Sequence, residues 1–157
     1  MKSSPSGLVL VGAFFTMIAV IVFADDASDE AIKKERKRFE GTWRIVALEV
    51  NGNKAEEADA RKLSVLNGSD GTWSLRSEGN EISRGTSSID PTKKPKTIDI
   101  IPTKQEDNAE RYLGIYEIGE TTRKLCFAPA GKERPTEFSS TPDNQHILVS
   151  FEREKNE

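Results

Sequence analysis

The stretch FEGTWRIVALEVNG, residues 39–52, decides the fold predicted for this chain. A run rich in apolar and β-branched side chains follows Gly41 and ends at Asn51-Gly52. Such a run, bounded by turn-forming residues, is typical of a β-strand. Gly41 lets the backbone turn sharply into the strand, and Trp43 has room to point inward at the end of a closed sheet. The stretch therefore predicts the first strand of a barrel.

The chain after this stretch continues with the same pattern. We count eight apolar runs in all, separated by clusters of Gly, Asn, Asp and Pro. Since the connections are mostly short and hold no helix long enough for a crossover, the strands are expected to be antiparallel. Closing the sheet on itself removes its exposed edges. The sequence thus predicts an all-β domain, an eight-stranded antiparallel up-and-down barrel with a short N-terminal helix.

Strand parity predicts which side chains fill the barrel. The expected inner face comprises Trp43, Ile45, Leu63, Val65, Trp73, Leu75, Ile98, Ile100, Leu125, Phe127, Ile147, Val149 and Phe151. One strand leaves two alternatives open, because Tyr112 and Tyr116 share a face opposite to Leu113 and Ile115. Inward tyrosines would leave a cavity with hydroxyl groups, whereas an inward Leu113 and Ile115 would give a solid core.

The first 24 residues differ from the rest of the chain. Lys2 precedes an uncharged apolar run that ends at Ala24, and acidic residues follow. This pattern is typical of a secretory signal peptide cleaved after Ala24. The alternative is an uncleaved N-terminal anchor, which would be the protein's sole contact with a membrane. We predict an exported protein, periplasmic or secreted, with a signal peptide (1–24), a helical segment (25–40) and a barrel domain (41–157).

The helical segment and the composition add further expectations. Ser28 or Asp29 can cap a helix whose Ile32 and Phe39 share one side. With 23 basic and 26 acidic residues interspersed along the chain, no broad basic face for nucleic acid is predicted. Cys126 is the only cysteine, so no intramolecular disulfide can form, and we expect it to be buried in a strand.

Barrel closure assigns a structural role to three residues. Arg153 has the parity of the inward residues on the last strand. If the first and last strands pair, its guanidinium can lie across the Trp43 ring as a cation–π contact. Gly41, Trp43 and Arg153 are therefore predicted to close the barrel.

The same residues carry a resemblance. A Gly-x-Trp at the head of the first strand, a short preceding helix and Arg153 resemble the lipocalin and calycin pattern. Over nearly all of Ile32 to Arg153, the chain more closely resembles a domain family that is abundant in planctomycetes and functionally uncharacterised. The matching segments are FEGTWRIVALEVNG (39–52), IDPTKKPKTIDI (89–100), GIYEI (114–118), RKLCFA (123–128) and RPTEFSS (134–140). The resemblance implies export and a lipocalin-like barrel, and it carries no established activity or ligand.

The chemistry that an enzyme needs is sparse in this sequence. His146 is the sole histidine, and no Ser-His-Asp set, Gly-rich phosphate loop or metal-ligand spacing is present. Asp99 and Glu137 could act as a carboxylate pair if both turned inward. An outward orientation of both is the favoured interpretation. The sequence therefore predicts no enzyme, no metal site and no cofactor.

Two function classes remain. The first is a binding protein for a small apolar or amphipathic ligand, with Trp73, Tyr116 and Phe127 lining the site. In that hypothesis Arg134, with Tyr116 and Arg84, could bind an anionic head group at the barrel mouth, because guanidinium groups suit carboxylates and phosphates.

The favoured interpretation of Arg134 is structural, as an ion pair with Glu137 or as a donor to carbonyl groups in a long connection. The second class is a structural or protein-interaction module of the cell envelope with a filled barrel. Lys93, Lys94 and Lys96 could touch an anionic envelope surface, but a solvated turn is the favoured interpretation. An internal cavity is the feature that separates the two classes.

Overall fold

Nine strands and two helices make up the described part of this computed structural model, which comprises Ser3, residues 19–103 and residues 110–155. For residues 19–27 only the backbone is described. The elements are α1 (Ala19–Phe39), β1 (Gly41–Val50), β2 (Asn53–Lys54), α2 (Glu57–Ala60), β3 (Leu63–Asn67), β4 (Thr72–Ser77), β5 (Asn80–Asp90), β6 (Lys96–Pro102), β7 (Tyr112–Ile118), β8 (Thr122–Phe127) and β9 (Ile147–Arg153).

The strands form one closed antiparallel sheet. Its order is β1-β3-β4-β5-β6-β7-β8-β9, and β9 pairs back onto β1, while the two-residue β2 extends the far end of β1. In the closing pair Trp43 lies opposite Arg153, and Val50 lies opposite Ile147. The predicted eight-stranded up-and-down barrel, with one helix before its first strand, is confirmed.

A bulge in β1 changes which residues face inward. The register with β9 shifts between Ile45 and Ala47, which adds one residue to β1 and reverses the parity of the positions after it. Consequently Ile45 and Leu48, three positions apart, both belong to the barrel core. Simple alternation cannot foresee this switch.

The predicted inner face is the interior of the barrel. Twelve of its thirteen members belong to the buried core or pack against it, and Trp73 lines the interior cavity described below. Tyr116, which lies opposite Leu125 in the β7–β8 pair, also belongs to this core, and Tyr112 packs against it. The tyrosines of β7 therefore face inward.

Leu113 and Ile115 face outward, and yet Ile115 is only 1% exposed. The long connection between β8 and β9 covers this part of the outer wall. Cys126, opposite Ile115 in the β7–β8 pair, is fully buried there and donates to the Ser139 carbonyl at 3.4 Å. The barrel thus has a second, smaller apolar layer outside its sheet, which includes the buried cysteine.

Helix α1 closes one end of the barrel. It spans 21 residues, so the predicted caps Ser28 and Asp29 lie inside it rather than at its start. Ile32 packs against the core, and the Phe39 ring meets the Tyr116 ring edge-on, with centroids 5.0 Å apart. Within the described ranges, no helix combines the length and the apolar character of a membrane span.

Candidate functional site

A cavity of about 250 Å³ lies inside the barrel. Eighteen of the described residues line it, contributed by α1 and by every barrel strand except β7, and fourteen of them are apolar. The four polar ones are Asn67, Ser83, Ser87 and Arg123. An apolar enclosure with a few polar groups is the usual construction of a small-molecule site.

The two ends of the cavity differ in exposure. At the end covered by α1, Phe39 and Phe151 are 2% and 3% exposed and Trp43 is fully buried. At the opposite end, inward side chains such as Leu63 and Ile147 are only partly buried. The cavity is therefore closed under the helix and approaches solvent at the far end.

Arg123 is the most unusual lining residue. It occupies the second position of β8, on the same face as Leu125 and Phe127, so strand alternation directs it inward. The residue is 3% exposed, and its Nη1 donates to Asn67 Oδ1 at 2.7 Å. Its Nε is buried with no hydrogen-bond acceptor among the described residues.

Aromatic rings surround the Arg123 guanidinium. Its Cζ lies 4.2 Å from the ring centroid of Phe151, 4.7 Å from that of Trp43 and 5.4 Å from that of Phe39. Burial, and to a lesser degree the charge of Arg153, lowers the pKa of Arg123 to about 9. The group is therefore still a cation at neutral pH.

Arg123 was not among the residues predicted to bind a ligand. The signal was available, because Arg123 shares the parity of Leu125 and Phe127, both of which were placed on the inner face.

Two of the residues predicted to bind a ligand, Trp73 and Phe127, line the cavity. Trp73 Nε1 donates to the Thr86 carbonyl at 2.9 Å, which holds the indole against β5. The other three candidates, Arg84, Tyr116 and Arg134, do not line the cavity.

Tyr116 serves the closed end of the barrel. Its hydroxyl donates to Glu35 Oε1 at 3.0 Å, and the same oxygen accepts from Lys96 Nζ at 2.7 Å. Burial alone would raise the pKa of Glu35, but the hydrogen bonds from Lys96 and Tyr116, with the charges of Lys96 and Arg38, outweigh it and hold that pKa below its usual value. Burial, together with the charge of Glu35, raises the pKa of Tyr116. This network attaches α1 to the barrel.

Arg134 lies on the outer wall. Its Nη1 donates to Asp99 Oδ1 at 2.6 Å, to the Gly114 carbonyl at 2.8 Å and to the Ile98 carbonyl at 3.3 Å. The guanidinium thereby fastens the β8–β9 connection to β6 and β7. Its carboxylate partner is Asp99, not the Glu137 of the sequence interpretation.

Arg84 is exposed and lies 3.8 Å from Glu81 in an ion pair on β5. The structure does not bring Arg84 together with Tyr116 or Arg134.

The residues considered for catalysis are dispersed. Asp99 is also 3.4 Å from Arg111 Nη1, and Glu137 is exposed in the β8–β9 connection. His146 Nδ1 lies 4.0 Å from Cys126 Sγ, where burial raises the pKa of the thiol. Over residues 19–103 and 110–155, no group of three His, Cys, Asp or Glu side chains could hold a metal ion.

The lysines of the Pro-bounded turn do not act as one cluster. Lys93 and Lys94 are exposed, whereas Lys96 turns toward Glu35. Only two of the three are thus available to an anionic surface.

The predicted closing residues meet at the helix end. The Arg153 Cζ lies 4.2 Å from the Trp43 ring centroid, and Nη1 and Nε donate to the carbonyls of Glu40 and Glu120 at 2.7 and 3.1 Å. Nη2 donates to the Arg38 carbonyl. Gly41 has φ +113°, a conformation that other residues rarely adopt, and a Cβ there would lie 3.2 Å from Arg153 Nη1.

No family model, curated protein or solved structure matches the chain.

Proposed function

We propose that this chain is an exported lipocalin-like protein that binds a small apolar or amphipathic ligand inside its barrel and performs no catalysis on it. The observation that carries the proposal is the cavity of about 250 Å³, with fourteen apolar residues among the eighteen described residues that line it. Apolar lining provides the free energy of binding, and a small number of polar groups orient the ligand.

The cavity volume limits the ligand. It lies just below the ~300 Å³ at which ligand pockets usually begin. At about 30 Å³ for each water-sized group, it accommodates roughly eight such groups. The ligand is therefore small, with about eight to ten non-hydrogen atoms when fully enclosed.

The stability cost of the void also supports a binding role over a filled structural module. An unfilled space in a protein core costs stability because the side chains that line it lose packing contacts, and the cost rises with the volume. Side chains larger than Ser83 and Ser87 on β5 would reduce that void. A ligand that fills the space recovers part of this cost.

Export rests on the first 24 residues and on the resemblance to an exported domain family. The uncharged run that ends at Ala24, followed by Asp25 and Asp26, is typical of a signal peptide. This segment supports the proposal that the barrel binds its ligand outside the cytoplasm.

The absence of catalysis in the proposal rests on the placement of the ionisable groups. The Asp99 carboxylate is held by Arg134 on the outer wall, and Glu137 is exposed. Neither carboxylate is among the residues that line the cavity, and no acidic side chain of the described ranges lines it either.

The test is a neutral apolar probe with a cavity-filling variant. We expect 1-octanol to bind the wild-type protein with one site in isothermal titration calorimetry, and Val65→Phe, which fills the cavity, to abolish binding. Ile82→Phe is the matched control, because Ile82 is 58% exposed and lies outside the lining. Native mass spectrometry of protein from its own host should also show a retained small mass. Equal octanol binding by Val65→Phe, or failure of the wild-type protein to bind any octyl probe, neutral or charged, would refute the proposal.

A further inference from the structure

Arg123 places a positive charge at the closed end of an apolar cavity. Its guanidinium is 3% exposed and is one of the four polar groups in the lining. Among the described residues, no carboxylate forms an ion pair with it. A buried cation without a counter-charge is costly, since burial removes its hydration and nothing of opposite sign replaces it.

The surrounding groups provide hydrogen-bond acceptors for only part of the Arg123 guanidinium. Asn67 Oδ1 accepts one hydrogen bond from Nη1, and the rings of Phe151 and Trp43 lie within 4.7 Å of Cζ. Ring faces attract a cation but accept no N–H in the plane of the guanidinium. The Nε–H therefore stays without an acceptor among the described residues.

A second cation increases the demand for an anion. Arg153 also lies over the Trp43 ring, with its Cζ at 4.2 Å, so the two guanidinium groups share one indole. Arg153 has three carbonyl partners, whereas Arg123 has one amide. An anion at Arg123 would relieve the repulsion between them.

We propose that the ligand is an amphiphilic carboxylate whose head group pairs with Arg123 beside Asn67 at the closed end, and whose apolar tail occupies the cavity toward the open end. This inference rests on the proposed function and adds the ligand's chemical class. A carboxylate offers two oxygens to one guanidinium edge, which matches the geometry of Arg. One guanidinium neutralises one negative charge, so a monoanion fits better than a dianion, which would keep an unpaired charge.

The cavity limits the tail. From Phe151 to Ile147, β9 runs four residues along the cavity wall, or about 13 Å at ~3.3 Å per residue. Strand tilt in a barrel reduces this to a depth of roughly 10 Å. With about eight to ten non-hydrogen atoms in total, two of them carboxylate oxygens, the ligand has roughly six to eight carbons including the carboxyl carbon. Octanoate is therefore the appropriate probe.

The test compares three probes with the same tail and different head groups. Octanoate, 1-octanol and octylammonium are titrated into the full chain by calorimetry at neutral pH, where Arg123 is charged. Hydrogen bonds to charged partners predict that octanoate binds roughly tenfold to a hundredfold more tightly than octanol. Octylammonium is expected to bind most weakly, because its charge repels the guanidinium.

Substitution assigns the preference to one residue. Arg123→Met retains bulk and removes the charge, so octanoate should lose its advantage while octanol binds at least as tightly as before. Arg84→Met is the matched control, since Arg84 is exposed and outside the lining, and it should leave both affinities unchanged. The probe series on the wild-type chain needs no variant, so the inference can be tested even if Arg123→Met fails to fold.

The outcomes separate this inference from the proposed function. Equal binding of octanol and octanoate by the wild-type protein, or a preference for octylammonium, would overturn the carboxylate assignment and leave the binding protein in place. A preference for octanoate that survives Arg123→Met would overturn the role of Arg123. Failure of every probe to bind would refute the proposed function itself.

Discussion

Substituting Arg153 by Met should detach the end of α1 from the barrel. Arg153 donates to the carbonyls of Arg38 and Glu40, at the C-terminal end of α1, and to the carbonyl of Glu120 in the β7–β8 turn. The last carbonyls of a helix have no partner within the helix, so this side chain satisfies two that would otherwise need water. The same guanidinium covers the Trp43 ring at 4.2 Å.

The magnitude follows from these contacts. Three hydrogen bonds from a charged donor contribute about 1.5 kcal/mol each at the lower end, and the cation–π contact adds about 1 kcal/mol. Arg153 is only partly buried, so water replaces some of these bonds in the variant. We therefore expect Arg153→Met to lower the free energy of unfolding by about 3 kcal/mol.

Urea denaturation followed by tryptophan fluorescence measures this loss. Arg153→Lys should retain about half of the stability difference, because one ammonium keeps the charge but cannot span carbonyls on two elements and the ring at once. Arg84→Met, an exposed arginine, is the matched control and should change the free energy of unfolding by less than ~0.5 kcal/mol.

A loss below about 1 kcal/mol for Arg153→Met would refute the reasoning, since it would mean that the three carbonyls are equally well satisfied by water. If Arg153→Lys and Arg153→Met lowered the free energy of unfolding equally, the ability of the guanidinium to donate in several directions at once would contribute nothing.

The remaining predictions concern the helix contact and the barrel wall. Since the pKa of Glu35 is lowered in the folded state, the stabilisation that its charge provides is complete above the usual pKa of 4.5 and is lost as pH falls through the lower folded value. The difference in melting temperature between wild type and Glu35→Gln, measured between pH 3 and 7, should therefore narrow below pH 4.5. A difference that stays constant with pH would contradict this. Gly114→Ala should cost about 1–3 kcal/mol in urea denaturation, because the new Cβ would lie 2.5 Å from Phe127 Cδ1 and 2.8 Å from the Cys126 carbonyl oxygen. Unchanged stability would contradict this, since both the Phe127 ring and the backbone of β8 would have to move at no cost.

Much of the fold could be predicted from residue order alone. Turn residues such as Asn51 and Gly52 marked where each predicted strand ends, and the alternation of apolar and polar residues indicated the inner face. The inward parity of Trp43 on the first strand and Arg153 on the last strand implied that these two strands pair. These inferences depend on local periodicity and on the need to remove sheet edges, which act at every strand. The eight strands and their antiparallel order could therefore be predicted from the sequence.

The candidate site was predicted only in part, for identifiable reasons. Trp73 and Phe127 were placed correctly on the cavity because parity alone decides their direction. Tyr116 shares that inward direction, yet its hydroxyl reaches Glu35 on a helix 81 residues earlier, a contact that no local pattern encodes. Likewise, Arg134 donates a hydrogen bond to Asp99, 35 residues away in the sequence, instead of pairing with its near neighbour Glu137.

The sequence by itself determined that the chain forms a barrel and which face of most strands is apolar, because side-chain direction in a strand repeats every two residues. Only the tertiary structure decided whether the inner face fills its space. An apolar cavity remains beside Arg123. Its shape depends on the bulge after Ile45, on the β8–β9 connection that packs over Cys126 outside the sheet, and on the position of α1 over one end of the barrel. A void and an unpaired charge are properties of how distant elements meet, and they depend on volumes and distances that periodicity does not contain.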